Sequence, residues 1–546
     1  MQKVLTAEQM REVDRLTTEE YGIPSLLLME NAAQAAARVI CQRLGGSVEG
    51  SSILVLCGKG NNGGDGAALA RILWTQGANV EVCLIGLVSA TKGDARTNFE
   101  ILRRIADRET FEVDQADIAL EEISSLEEWM EYDSVNFQSD DPDVIVDALF
   151  GTGLTHPLEG VYAEVAAFIH AYGTEPEGPL VVALDVPSGL CSDHGDVNGV
   201  VPCADVTVTF TSPKPANVLP PASRYNGDLA LAEIGSPCEL VNRVHSQLYL
   251  STREDAERWL AATEFTPDSH KYKRGHALLI AGSADYSGAA VLCGDAAMRS
   301  GVGLATIACP ESSRESIIAR VQPEVMIRGL TATKKGAISE EALVEVAQFV
   351  ERKVTAVAIG SGMSHDEETT RNFVRKVVET RTTPVVIDAD GLNALAPFDF
   401  PGSDDLPLIL TPHLGEFKRL LGVDDDPPDL LAALRDFAQT HKVIVVLKGE
   451  RPMLADSNGC VVVSPTGNSG LGKAGNGDTL TGLIVGFVAQ AAAIEIGIFE
   501  SVVAAVHLAG LAGDIAEERY GKRVMTASDV RECFHDAILA VTEEDS

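Results

Sequence analysis

No stretch of about 18 uninterrupted apolar residues occurs in this 546-residue chain, so nothing in it reads as a membrane span. The opening residues, Met1-Gln2-Lys3-Val4-Leu5-Thr6-Ala7-Glu8, lack the apolar core of a secretory signal. Ten cysteines are present, but none forms a CxxC pair or stands beside a histidine at metal-binding spacing. A structural zinc site is therefore not expected, and a reducing cytoplasmic compartment is. Positive charge is scarce: 43 Lys and Arg face 80 Asp and Glu, for a net charge of −37. Such a surface repels a phosphate backbone, which excludes a general nucleic-acid binder and leaves solubility as the plain role of the charge. An anionic small ligand would need local backbone dipoles or a cation. Internal repeats and low-complexity segments are also absent.

What is present is a globular composition, 45% hydrophobic and 23% charged, in a chain long enough for two to four domains. Residues 6–44 read as helix, with a capping box at Thr6-Ala7-Glu8-Gln9 and an alanine-rich apolar face from Leu26 to Ile40. Apolar runs then alternate with helical patterns at 53–57, 80–85, 144–150, 180–186 and 205–210. A second series runs at 277–281, 304–308, 354–359, 384–388, 407–410 and 443–447. Near-continuous Val, Ile and Leu runs, each followed by a helix, predict parallel sheets covered on both faces, an α/β fold. The divisions expected are 1–235, a linker at 236–264, and 265–546. The acidic stretch 108–143 is expected as a solvated excursion rather than a site.

The first motif is Gly58-Lys59-Gly60-Asn61-Asn62-Gly63-Gly64-Asp65-Gly66, directly after an apolar run. It contains the dinucleotide fingerprint GxGxxG, and Glu81 stands about 20 residues on, so a dehydrogenase is one reading. Two features oppose it. The Asn61-Asn62 side chains suit a hard cation better than a pyrophosphate. Asp65 would place negative charge against any phosphate at the helix start. Two further strand ends carry Asp147-Ala148-Leu149-Phe150-Gly151-Thr152-Gly153-Leu154 and Asp185-Val186-Pro187-Ser188-Gly189. Asn62, Asp147, Asp185 and Ser188 thereby converge where open α/β sheets bind ligands.

In this order, and after Leu26 to Ala33, these motifs resemble the NAD(P)HX epimerase domain, over roughly residues 1–235. The resemblance implies a Rossmann-like three-layer α/β/α fold and interconversion of the epimers of hydrated NAD(P)H. It implies a potassium ion held by Asn62, Asp147 and Ser188. It implies substrate contacts from Asn61, Asn62, Gly63, Gly64 and Asp65, from Gly151, Thr152, Gly153, Leu154, Thr155, His156 and Pro157, and from Asp185. Asp185 is the implied acid/base group near C6 of the nicotinamide ring. Where some relatives carry a basic residue after Phe-Gly, this chain has Thr155-His156, so His156 is a candidate second partner.

The second region almost reads as a Walker loop from Gly467 to Ala474, but Ala474 lacks the hydroxyl that holds magnesium. Just beyond it, Gly475-Asn476-Gly477-Asp478 opens a long apolar helix. Its N–H groups can cradle phosphates, and Asp478 can take a hydroxyl proton. This arrangement resembles the ribokinase-like superfamily of α/β/α folds. Ala281-Gly282-Ser283, Gly360-Ser361-Gly362, Asp388-Ala389-Asp390-Gly391, Thr411-Pro412-His413-Leu414-Gly415-Glu416 and Lys448-Gly449 narrow the resemblance to the nucleotide-dependent (6S)-NAD(P)H-hydrate dehydratase, over about 265–540. It implies Asp478 as base and Ala289, Gly362 and His413 as hydrate contacts. It implies Lys448, Gly449, Glu450, Arg451, Pro452 and Gly477 as nucleotide contacts, with magnesium on the phosphates. The implied reaction is ADP-dependent dehydration, releasing AMP and phosphate, in a homo-oligomer. A dehydrogenase fused to a kinase, and a non-catalytic nucleotide sensor, are the alternatives. The sensor would need neither Asp185 nor Asp478.

Overall fold

The computed structural model describes residues 1–108, 116–136, 141–351 and 353–542. The chain divides into two compact bodies, Lys3–Ser246 and Gln247–Ser546, with Met1–Gln2 belonging to the second.

The first body opens with two helices, not one. Ala7–Tyr21 starts at the capping box in which Thr6 and Gln9 exchange side-chain bonds, and it stops at Gly22, whose φ of 69° is left-handed. Pro24 then caps Ser25–Arg43. Helical periodicity carries across 6–44, but a left-handed glycine followed by a proline cannot continue a helix.

Among the described residues, seven parallel strands follow in the order Ile118–Ile123, Asn79–Ile85, Ser52–Cys57, Val144–Ala148, Leu180–Leu184, Val206–Phe210 and Asp228–Ala232. Along Ser52–Cys57, Ile53, Val55 and Cys57 enter the core on one face while Leu54 and Leu56 enter the core on the other. This two-sided burial is why the strand reads as an unbroken apolar run. Strand order reverses between Ser52–Cys57 and Val144–Ala148, which opens a crevice at their carboxyl ends. Residues 109–115 and 137–140 of the acidic stretch lie outside the described residues. Within the described part, Ile118–Ile123 forms a half-exposed edge strand, and Leu126–Asn136 buries Trp129 against Phe168 at 5.3 Å.

The motif glycines divide by what surrounds them. A Cβ on Gly63 would stand 1.7 Å from the Gly58 carbonyl oxygen, whereas one on Gly60 would meet nothing within 4 Å. Gly63→Ala is therefore expected to destabilise this body by roughly 3 kcal/mol or more, and Gly60→Ala by less than about 1 kcal/mol. Thermal melting of the two variants checks this.

The second body holds an eleven-stranded sheet among the described residues. Its parallel part runs Met326–Leu330, Leu304–Pro310, His276–Ile280, Ala356–Ile359, Val385–Ile387, Leu408–Leu410 and Ile444–Leu447. Met453–Ala455 and Val461–Val463 extend it antiparallel. The stretch 236–264 is not an unstructured linker. It folds as Cys238–Arg243, Leu248–Leu250 and Arg253–Ala262, with Leu248–Leu250 paired to Val461–Val463 and Trp259 stacked on Phe487. Elements this short leave little periodicity to read. Asn476–Ile494 and Ile498–Tyr520 are long and apolar enough to cross a membrane, but two thirds of each apolar window is buried in this core.

Candidate active sites

The first body's crevice is a cleft of about 520 Å³ at the strand-order reversal. Asn62, in the first turn of Asn61–Thr75, lies beside it with its amide nitrogen buried and unpartnered. Asp147, near the end of its strand, is fully buried. It accepts from the Ser188 hydroxyl at 2.5 Å, the Ser188 N–H at 2.8 Å and the Leu149 N–H at 3.3 Å. Burial pushes its carboxyl up to about 6, against the pull of those three bonds.

Asp185 sits at the head of the strand-end turn with φ of 67°, a conformation few side chains adopt. One carboxylate oxygen accepts from the Lys214 ammonium. The other lies 3.2 Å from the point where a Cβ on Gly151 would stand, as does the Asn62 carbonyl oxygen. Asp65 and Asp14 line the same cleft. Burial raises the Asp65 carboxyl well above the ordinary carboxylate range, and the negative charges of Asp185 and Asp14 add to it. Burial lifts Asp14 to about 6, opposed by Lys214 and assisted by Asp185.

In the second body the turn Gly475–Asp478 separates two cavities. One, of about 410 Å³, is lined by Lys448, Gly449, Glu450, Pro452 and Gly477 and backed by apolar residues such as Leu483 and Val506. The other, of about 600 Å³, is lined by Ala289, Gly362, Asp390 and Asp478. Gly475, with φ of 93°, caps Asn476–Ile494 without any side-chain bond; the Asn476 N–H goes to the Lys473 carbonyl at 3.4 Å, and those of Gly477 and Asp478 stay available. Beneath the turn, Asp388 is 2% exposed. It accepts from Lys448 Nζ at 2.7 Å, Thr411 Oγ1 at 2.9 Å and Thr481 Oγ1 at 3.0 Å. Burial, reinforced by the Asp388 charge, pushes Asp478 up to about 6. For Lys448, burial pulls downward, but the Asp388 and Glu416 carboxylates outweigh it and hold the amine above its ordinary value.

The whole chain has close relatives. It is 36% identical over 547 residues to the bifunctional NAD(P)H-hydrate repair enzyme Nnr of Moorella thermoacetica, covering 99% of this chain and 97% of that protein. The chain belongs to this family. A second relative of the same name, from Thermofilum pendens, is 34% identical over 546 residues, covering 99% of this chain and 97% of its own length. Residues 277–535 match the family model described as NAD(P)H-hydrate dehydratase, and residues 25–216 match that of the YjeF-related protein N-terminus. Among solved structures, an ADP/ATP-dependent NAD(P)H-hydrate dehydratase from Bacillus subtilis, co-crystallised with ATP and Mg²⁺, is 31% identical. It covers 54% of this chain and 98% of its own, with a TM-score of 0.46.

In this repair enzyme, the residues expected from sequence separate into those the folds bring to a cavity and those they do not. Asn61, Asn62, Asp65, Gly151, Thr152, Gly153 and Asp185 line the first cleft. Gly63 and Gly64 pack against backbone or side chains within 3 Å of their would-be Cβ atoms. Leu154, Thr155, His156 and Pro157 do not line the cleft, and His156 is exposed. Glu81 stands mid-strand, away from the crevice. In the second body, His413 caps Leu414–Leu421 by accepting from the Glu416 N–H at 3.3 Å. Its side chain is 56% exposed and lines neither cavity. Arg451 lines neither. Lys473 of the Walker-like stretch spends its ammonium on the carbonyls of Lys522, Arg523 and Met525. Sequence reading missed Lys214 and Asp14, and quoted Asp388 without giving it a role. Lys214 stands between two prolines after a strand, and Asp14 stands beside Met10, Val13 and Thr17, the buried face of its helix.

Proposed function

We propose that the first cleft interconverts (6R)- and (6S)-NAD(P)H hydrate, and that the second body dehydrates the 6S form to NAD(P)H at the expense of ADP. The observation that carries the reading is the turn Gly475–Asp478, whose two faces belong to different cavities. Gly477 and Lys448 face the side with an apolar wall suited to a nucleoside; Asp478 faces the other. A phosphoryl group transferred across the turn passes from one ligand to the other.

Asp478 takes the proton of the C6 hydroxyl as that oxygen attacks the terminal phosphoryl group of ADP. The Gly477 and Asp478 N–H groups and Lys448 bind the phosphate oxygens. AMP leaves. The C6–O bond then breaks with departure of phosphate, C5 loses a proton, and the conjugated dihydropyridine returns. Phosphate departs far more readily than hydroxide, which is what the nucleotide contributes. Magnesium, when bound with the nucleotide, neutralises phosphate charge.

In the first cleft, Asp185 takes the proton of the C6 hydroxyl as the C6–N1 bond opens to an aldehyde and passes it to N1; reclosure of N1 on the other face of the carbonyl returns the proton and inverts C6. Asn62, Asp147 and Ser188 would hold potassium. The Asn62 carbonyl, the Asp147 carboxylate and the Ser188 hydroxyl are oxygen ligands of the kind a hard monovalent cation takes, and among the described residues the buried Asp147 has no cationic side chain as a hydrogen-bond donor. Such an ion supplies positive charge beside the substrate. The low count of basic residues supports small-molecule partners over nucleic acid, and we read the enzyme as a cytoplasmic homo-oligomer.

The test is absorbance at 340 nm with mixed epimers of hydrated NADH, magnesium and potassium, adding ADP or ATP in turn. Complete recovery with one nucleotide is expected, and replacing potassium by lithium should slow only the 6R portion. Recovery of the 6S portion alone would sink the epimerase assignment. No nucleotide-dependent recovery would sink the dehydratase assignment.

A further inference from the structure

Lys214 is 1% exposed, yet its ammonium reaches the wall of the first cleft. An ammonium has three N–H donors. Here all three have acceptors within the protein: an oxygen of Asp185, Thr209 Oγ1 at 3.1 Å and the Phe210 carbonyl at 3.0 Å. None remains for a substrate phosphate, so Lys214 is not a phosphate-binding cation.

The same few residues hold both partners. The Lys214 N–H donates to Asn217 Oδ1 at 2.8 Å, and Asn217 Nδ2 donates to the Asp185 carbonyl at 3.3 Å. Thr209 Oγ1 lies 3.4 Å from the Lys214-bound oxygen of Asp185. That oxygen, Oδ1, is therefore held by the Lys214 ammonium, with Thr209 beside it, whose one hydroxyl proton also reaches Asn217 Oδ1 at 3.2 Å. The second oxygen, Oδ2, is the one turned to Gly151 and Asn62 at the cleft. Asp14, Asp65 and Asp94 also line this cleft, and Arg11 is its other cation, on an exposed rim position. Without Lys214, Asp185 would share the pocket with carboxylates and no buried countercharge.

We propose that Lys214 is a positioning residue for the epimerisation: it fixes Oδ1 of Asp185 and so presents Oδ2 to the hydrate. The inference rests on the epimerase reading of the cleft, and the experiment separates the two. In the full chain, Lys214→Met and Asp185→Asn are compared for conversion of the 6R hydrate, with thermal melting as the folding control and dehydration of the 6S hydrate as the internal standard.

Lys214→Met should lower kcat for the 6R hydrate about a hundredfold while KM moves less than about threefold, because a displaced base costs rate rather than binding. Lys214→Met with kcat near that of the parent, beside an inactive Asp185→Asn, overturns the inference and leaves the epimerase reading standing. A rise in KM at unchanged kcat also overturns it, since Lys214 would then bind substrate. An active Asp185→Asn overturns the reading itself. Should Lys214→Met melt below the assay temperature, Lys214→Arg decides: it keeps the charge, so at least about a tenth of kcat should survive, and a fall to the Asp185→Asn level overturns the proposal.

Discussion

Asp478→Asn should abolish nucleotide-dependent dehydration, with kcat down by about 10²–10⁴-fold, while leaving epimerisation and nucleotide binding as they were. Asparagine keeps the size of the side chain and loses only its capacity to take a proton. The cavity proposed for the nucleotide is lined by Lys448, Gly449 and Gly477, not by Asp478, so the Kd for ADP should hold. The pH dependence sharpens this result. Burial and the neighbouring Asp388 charge place Asp478 at about 6. A base must be ionised to act, so dehydratase kcat/KM should fall as pH drops through about 6 and level off above it. Replacing Asp388 by Asn should move that limb to lower pH, because one of the charges opposing ionisation is gone. An Asp478→Asn enzyme that still releases phosphate at the parental rate would remove Asp478 from the chemistry.

Asp185→Asn should stop conversion of the 6R hydrate, again by about 10²–10⁴-fold in kcat, and the effect has a recognisable time course. With mixed epimers and ADP, absorbance should rise at the normal rate until the 6S form is spent, then creep at the rate of spontaneous epimerisation. A second consequence comes from Lys214. Its ammonium is buried against Asp185, so losing the carboxylate leaves a positive charge with neutral acceptors alone. Removing one member of a buried pair costs about 3–5 kcal/mol. The variant should therefore melt at a lower temperature as well as lose activity, and calorimetry measures that loss directly. Parental melting would mean that Lys214 is neutralised by something other than Asp185.

The strands buried on both faces were the most legible part of the fold. Residues 53–57 and 277–280 are continuous apolar runs because helices cover both sides. Ile118–Ile123 and Met326–Leu330 were not legible, since edge strands mix apolar with acidic or basic residues. In the candidate sites, carboxylates near glycines pointed to Asp185 and Asp478, which line cavities, and to Asp147, which is buried outside the cleft lining. What the motif could not disclose is which glycine serves what. Gly63 faces its own chain's carbonyl and Gly60 faces open space, although both look alike in the string. Nor could it disclose Lys214, 29 residues beyond Asp185, or Asp388, which shares a motif with Asp390. Their partners come from other strands and helices, and such pairings are properties of the folded chain.

The wall made by Gly475–Asp478 has a kinetic corollary. Each cavity has its own lining, so a nucleotide and a hydrate bound as proposed would not compete for a doorway. Either can arrive first, and initial-rate lines should intersect rather than run parallel, as for a ternary complex rather than a ping-pong cycle. A compound lodged on the nucleoside side would then deplete working enzyme without being displaced by excess hydrate. Repair would slow at every level of damage, not only when damage is rare.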